Sequence, residues 1–334
     1  MTASTLMAPG TQSSLSVGDW VEVRSVEEIL ATLDESGALD GLPFMPEMLQ
    51  YCGRQFRVGK SAHKTCDTIE RYVIRRVDGT VHLEGLRCDG SGHDGCQASC
   101  LIFWKEVWLR PVPGPGQGVV SRMDNSAIFE RLQRAGRVGG SDAGLPIYRC
   151  QATDLLKFST NVRRRERWDP RFYIRDVTSG NVKLGKLLWY GTGAAINAFL
   201  RKWFGFRLPR LRGLAIGQTP TSNESIQAGE FVRVRPKEEI MQTLNPQLRN
   251  RGMWFDGEMV PYCNSTFRVI RRVERLVDEK TGRMITLAHP ALILDGVICS
   301  GHNAIDRMFC PREIYPYWRE VWVQRVGNES ADRS

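Results

Sequence analysis

Gly18-Asp-Trp-Val-Glu-Val-Arg-Ser-Val-Glu-Glu-Ile-Leu-Ala-Thr32 returns 211 positions later as Gly229-Glu-Phe-Val-Arg-Val-Arg-Pro-Lys-Glu-Glu-Ile-Met-Gln-Thr243, with eight identities in fifteen and no gap. The register persists outward: Met48-Leu-Gln-Tyr-Cys52 and Phe56-Arg-Val58 meet Met259-Val-Pro-Tyr-Cys263 and Phe267-Arg-Val269, and Cys88 meets Cys299. Three further residues move the offset to 214, where Trp104-Lys-Glu-Val-Trp108 meets Trp318-Arg-Glu-Val-Trp322. One register held over so long a stretch reads as an internal duplication.

Each copy opens with period-two apolar residues, Trp20, Val21 and Val23 or Phe231, Val232 and Val234, which predict a strand. Val26-Glu-Glu-Ile-Leu and Lys237-Glu-Glu-Ile-Met predict a short helix whose early acids suit its N-terminus. The Trp-x-Glu-Val-Trp run predicts a closing strand. The Gly-x-aromatic-Val-x-Val opening resembles small SH3-like barrels of the KOW type, and the chain as a whole resembles a bacterial family of unassigned function with a duplicated Cys-bearing module. The expected fold is α+β and β-rich, with two homologous SH3-like modules flanking a mixed basic middle domain.

The divisions predicted are a disordered lead-in at 1–17, the Cys-rich first module at 18–112, a Pro/Gly linker at 113–121 and the middle domain at 122–217. A second linker at 218–228, the second module at 229–326 and a disordered tail at 327–334 complete the chain. Charge follows these divisions. Residues 1–120 carry 11 basic and 15 acidic side chains, residues 121–215 carry 19 and 7, and residues 216–334 carry 16 and 15. Within the middle, Tyr148 to Val162 reads as a strand entering a helix capped by Thr153, and Val182 to Phe206 as a long helix packed in a core.

Nine cysteines with no basic-then-apolar leader predict a cytoplasmic chain whose thiols are core residues, metal ligands or reactive groups. No transmembrane segment is expected, because the most apolar window, Leu187 to Phe206, is broken by Arg201 and Lys202. Cys52, Cys88, His93 and Cys96 in the first copy, and Cys263, Cys299, His302 and Cys310 in the second, each make a complete Cys₃His set for tetrahedral zinc. The competing reading leaves Cys52 and Cys263 as ordinary core thiols. Zinc is the expected ion, with iron or no metal as alternatives. Cys66, Cys100 and His63 have no counterparts in the second copy, so Cys66 and Cys100 are candidate reactive thiols. Gly90-Ser-Gly-His-Asp-Gly95 matches G-x-G-x-x-G, but Gly-rich turns around ligands explain it more simply than a dinucleotide site.

Arg163, Arg164, Arg165, Arg167, Trp168 and Arg171 mix guanidinium groups with aromatics, as a nucleic-acid or other polyanion site requires, or as a face docked on the acidic first module would. Residues 187–212 combine aromatics with cations and offer peripheral membrane contact as the alternative to a core helix. Two functions follow: a metal-binding scaffold that engages an anionic partner through its middle, or a metal- or thiol-dependent enzyme centred on the first module.

Overall fold

The computed structural model describes residues 15–70, 74–116, 125–139, 144–163, 166, 169–205, 208, 210–302 and 309–327. The architecture is α+β with antiparallel sheets. In the first sheet the order is Trp104–Lys105, Thr80–Leu83, Gln55–Ser61, Trp20–Val23, Leu109–Val112. The second runs Met284–Leu294, Thr266–Val277, Phe231–Val234, Val323–Val326. Pairs Val21↔Phe56 and Trp20↔Val112 of the first reappear as Val232↔Phe267 and Phe231↔Val326 in the second. Val21, Val23, Val232 and Val234 are fully buried, as period-two patterning demands.

The helix after the first strand, α1 (Val26–Leu30), carries a capping box. The Ser25 amide donates to Glu28 Oε2 at 3.0 Å, and the Glu28 amide donates to Ser25 Oγ at 3.3 Å. The quoted stretches end on Thr32 and Thr243, whose hydroxyls accept the indole N–H of Trp108 and Trp322, both at 2.9 Å. Phe44 meets Trp108 edge-on with centroids 5.4 Å apart, and Phe255 meets Trp322 in the same way at 5.4 Å.

The Trp-x-Glu-Val-Trp run is not the closing strand. Trp104–Lys105 is a short strand at the edge of the first sheet, Glu106–Trp108 and Glu320–Trp322 are 3₁₀ turns, and the closing strands are the residues after them, Leu109–Val112 and Val323–Val326. All four tryptophans are fully buried, and both of each copy meet one phenylalanine, Phe44 or Phe255. Residues 151–157 form turns rather than a helix, with Thr153 Oγ1 accepting from the Cys150 amide at 2.9 Å.

Among the described residues the middle segment forms no large core of its own. From it, α2 (Ser126–Ala135) sends Leu132, and the following turns send Leu155 and Phe158, into the core of the first sheet. Residues 15–17, expected to end a disordered lead-in, are held: Leu15 joins that core, and the Val17 amide donates to the Ser179 carbonyl at 2.9 Å. The predicted second linker is likewise pinned, with Ile226 fully buried and the Arg251 amide donating to Thr219 Oγ1 at 3.0 Å.

The three parts meet at a buried ion pair. Lys64 Nζ lies 2.5 Å from Asp176 Oδ2 of α3 (Pro170–Thr178), and neither residue is exposed. Phe172 and Tyr173 of α3 and Phe309 of the second module surround the ammonium at 5.3, 5.5 and 5.9 Å. His63 Nε2 adds a second approach to Asp176 Oδ1 at 3.2 Å.

Two outcomes are expected. Asp176→Ala strands the Lys64 charge and lowers unfolding free energy by about 3–5 kcal/mol, whereas the double variant Lys64→Met/Asp176→Leu recovers most of it in urea titrations. His82 is buried, its Nδ1 2.8 Å from the Ile102 carbonyl, and burial pushes its pKa down to about 3. The unfolded chain therefore takes up a proton near pH 6.5 that the folded chain refuses, so this contribution is complete above 6.5 and lost as pH falls. The loss reaches on the order of 1 kcal/mol by pH 5.5, and His82→Phe flattens the urea midpoint between pH 7 and 5.5.

Candidate metal centre

The residue before Met48 is Glu47, the second helical position of a 3₁₀ turn, Pro46–Tyr51, that presses against the loop after the first sheet's edge. Glu47 and His93 are each 2 % exposed and Cys88 is half-buried. One ligand atom from each of the three lies within 4.8 Å of the others. The Cys88 thiol donates to Glu47 Oε1 at 2.8 Å, and His93 Nδ1 lies 3.4 Å from the same oxygen. Glu47 Oε2 is buried with no hydrogen-bond partner among the described residues.

Burial by itself would lower the His93 pKa, but the Glu47 carboxylate and the Arg149 carbonyl outweigh it and hold the imidazole above its usual value. A ring flanked by a donor cluster and a backbone carbonyl is the arrangement that orients metal-bound histidines. Burial first, and then the Glu47 charge, push the Cys88 thiol well up, so it is protonated at neutral pH and would lose that proton to an ion.

The loop is built on glycines. Gly90 sits at φ +83°, and a Cβ there would fall 2.0 Å from the Cys96 carbonyl oxygen. A Cβ on Gly92 would fall 2.5 Å from Glu47 Oε2. These contacts account for the G-x-G-x-x-G spelling: a 3₁₀ turn, Ser91–His93, lies inside it, and residues 96–100 after it are not the helix a dinucleotide needs.

Cys88 and His93 also line a cavity of about 270 Å³, together with Cys96, Cys100 and Cys150. Residues 276–280, Arg312 and Tyr317 of the second module line it as well. The Val277 amide donates to Cys96 Sγ at 3.3 Å, and the Gln97 side-chain oxygen accepts from the Glu274 amide at 2.6 Å, so the wall is tied to the loop. Arg312 bridges the modules from Glu279 to the Cys66 carbonyl and Thr68 Oγ1.

The Cys₃His sets do not assemble as expected. Cys52 and Cys263 each follow a 3₁₀ turn and pack on their own cores, and burial pushes their thiols up to about 12 and about 11. Cys96 reaches the shared cavity but is not one of the three converging ligands. In the second module Glu258 stands where Glu47 does, yet its Oε2 accepts from Ser300 Oγ at 2.6 Å. His302 stacks on Tyr190 of α4 (Leu184–Phe204), centroids 4.0 Å apart, and Cys310 Sγ accepts from the Cys66 amide at 3.1 Å. Among the described residues, only the first module gathers three ligands.

Burial pushes the Cys100 thiol far up, so its surroundings do not activate it. Cys66 is buried, and its amide donates to Cys310 Sγ across the module interface. Of the arginine-rich set, Arg163 and Arg171 are exposed, while Arg164, Arg165, Arg167 and Trp168 lie outside the described residues. Glu47 is the donor that the sequence reading missed. The Glu47/Glu258 identity at offset 211 was the available signal.

Gly92→Ala is expected to displace Glu47 and lower metal affinity at least tenfold in a competition titration, with unchanged far-ultraviolet dichroism. No family model, curated protein or solved structure matches this chain.

Proposed function

We propose that this chain is a metal-dependent enzyme, with zinc held by Glu47, Cys88 and His93 and a small substrate admitted to the adjoining cavity. The observation that carries this reading is that three donors converge rather than four, two of them, Cys88 and His93, on the wall of a cavity. Closed structural zinc sites use four protein ligands, whereas catalytic sites use three and keep one position for water or substrate. Carboxylate, thiolate and imidazole are all zinc donors, and the partnerless Glu47 Oε2 is the buried atom an ion would satisfy. Zinc there would supply Lewis acidity and a bound water of lowered pKa, which places the reaction among metal-assisted hydrolyses and additions of water.

The chain's own residues support that role. Gly90 and Gly92 permit the loop to close on Glu47, and the Arg149 carbonyl orients His93. The second module contributes the cavity's other side, and its own Glu258 and His302 are engaged elsewhere, which favours one centre per chain. The shared registers of the two sheets also support reading the modules as descendants of one SH3-like unit.

Elemental analysis of protein purified without chelator tests the proposal. One zinc per chain is expected, lost in Cys88→Ala and His93→Ala with the fold intact by circular dichroism, and retained in Cys263→Ser and Cys299→Ser. Two ions per chain with one lost in Cys299→Ser, or unfolding on metal removal, would restore the scaffold reading. Absence of metal would overturn both.

A further inference from the structure

We infer that α4 is a membrane-surface helix that lays its apolar face on a bilayer containing anionic lipid. Its 21 residues make a rod roughly 31 Å long. Among the described residues the packing is on one side: Leu187, Tyr190 and Ala194 pack against Val182 and Phe309. The other side carries Leu188, Ile196, Phe199 and Trp203, and Trp189 beside them is 76 % exposed. Positions 188, 196, 199 and 203 fall on one face at helical spacing, with Thr192 between them turning its hydroxyl back to the Trp189 carbonyl, so this is one stripe and not scattered apolar residues. A contiguous apolar stripe of this kind marks a contact surface.

Charge identifies the occupant. From Val177 to Asn223 there are seven cations, Lys183, Lys186, Arg201, Lys202, Arg207, Arg210 and Arg212, and no acid. A second copy of this chain would bring like charge against like. A nucleic acid would meet the cations but leave the apolar stripe in water. An anionic bilayer satisfies both, taking aromatic and aliphatic side chains at the acyl boundary and cations among the headgroups. Among the described residues no helix is long and apolar enough to cross a membrane, so α4 lies in the plane of the surface.

The test is co-sedimentation of the full chain with vesicles of phosphatidylcholine, alone or with about one third phosphatidylglycerol. Binding is expected to the anionic vesicles, at least tenfold tighter than to the neutral ones, weakening with salt, with a blue shift in tryptophan emission. Removing a cation should cost roughly fivefold, so Arg201→Gln/Lys202→Gln loses on the order of 25-fold. Phe199→Asp, at an exposed site that leaves the melting temperature unchanged, should lose tenfold or more. Equal or no binding to the two vesicle types overturns the proposal whatever the variants do. So does a wild-type dimer that Phe199→Asp dissociates, or binding to poly(U) tighter than to vesicles and indifferent to Phe199→Asp.

Discussion

A lysine ammonium and an aspartate carboxylate, both removed from water, set the arrangement of everything else. Lys64 comes from the first module, Asp176 from the middle segment, and the Phe309 ring over the ammonium from the second module. Desolvating two charges is costly, and the pair offsets that cost only when both groups are in place. Hydrophobic docking tolerates sliding, whereas an ion pair in a dry site does not. The pair thus fixes how the modules face each other, and with it the position of Arg312 and of the strand residues that line the cavity.

The two modules share strand registers, indole–threonine bonds and edge-on Phe–Trp contacts, yet among the described residues only one gathers three candidate metal donors. The difference lies in the loop. In the first module Asp89 follows Cys88 and glycines at 90 and 92 bring His93 back to Glu47. In the second, Ser300 takes that place and occupies Glu258, and His302 turns outward to Tyr190. One module therefore keeps the converging donors while the other supplies a wall of the cavity and a contact to α4.

Period-two patterning and early helix acids made the opening strands and α1 legible, because those features act locally. The closing strand was misplaced: residues four apart share a face in a strand as well as in a helical turn, so the tryptophan spacing does not reveal the 3₁₀ turn at Glu106–Trp108. Aligned Cys52 and Cys263 drew attention as ligands, yet alignment preserves packing as readily as chemistry, and both are core thiols. Glu47 was hidden for the opposite reason, since one carboxylate among 37 acids carries no label until folding buries it beside a thiol and an imidazole. The Val182–Phe206 helix was legible in extent, but apolar content alone does not say whether a face meets a core or solvent.

The cavity has a history in time as well as a shape. Glu47, Cys88 and His93 leave the ribosome early, while Arg312 and Tyr317, across the cavity, follow more than 200 residues later. At about 5–20 residues per second, that is a delay on the order of ten to forty seconds. During it the three donors stand on a module whose neighbouring cavity still lacks its far wall. The order of synthesis thus completes the donor set before the chamber beside it takes shape.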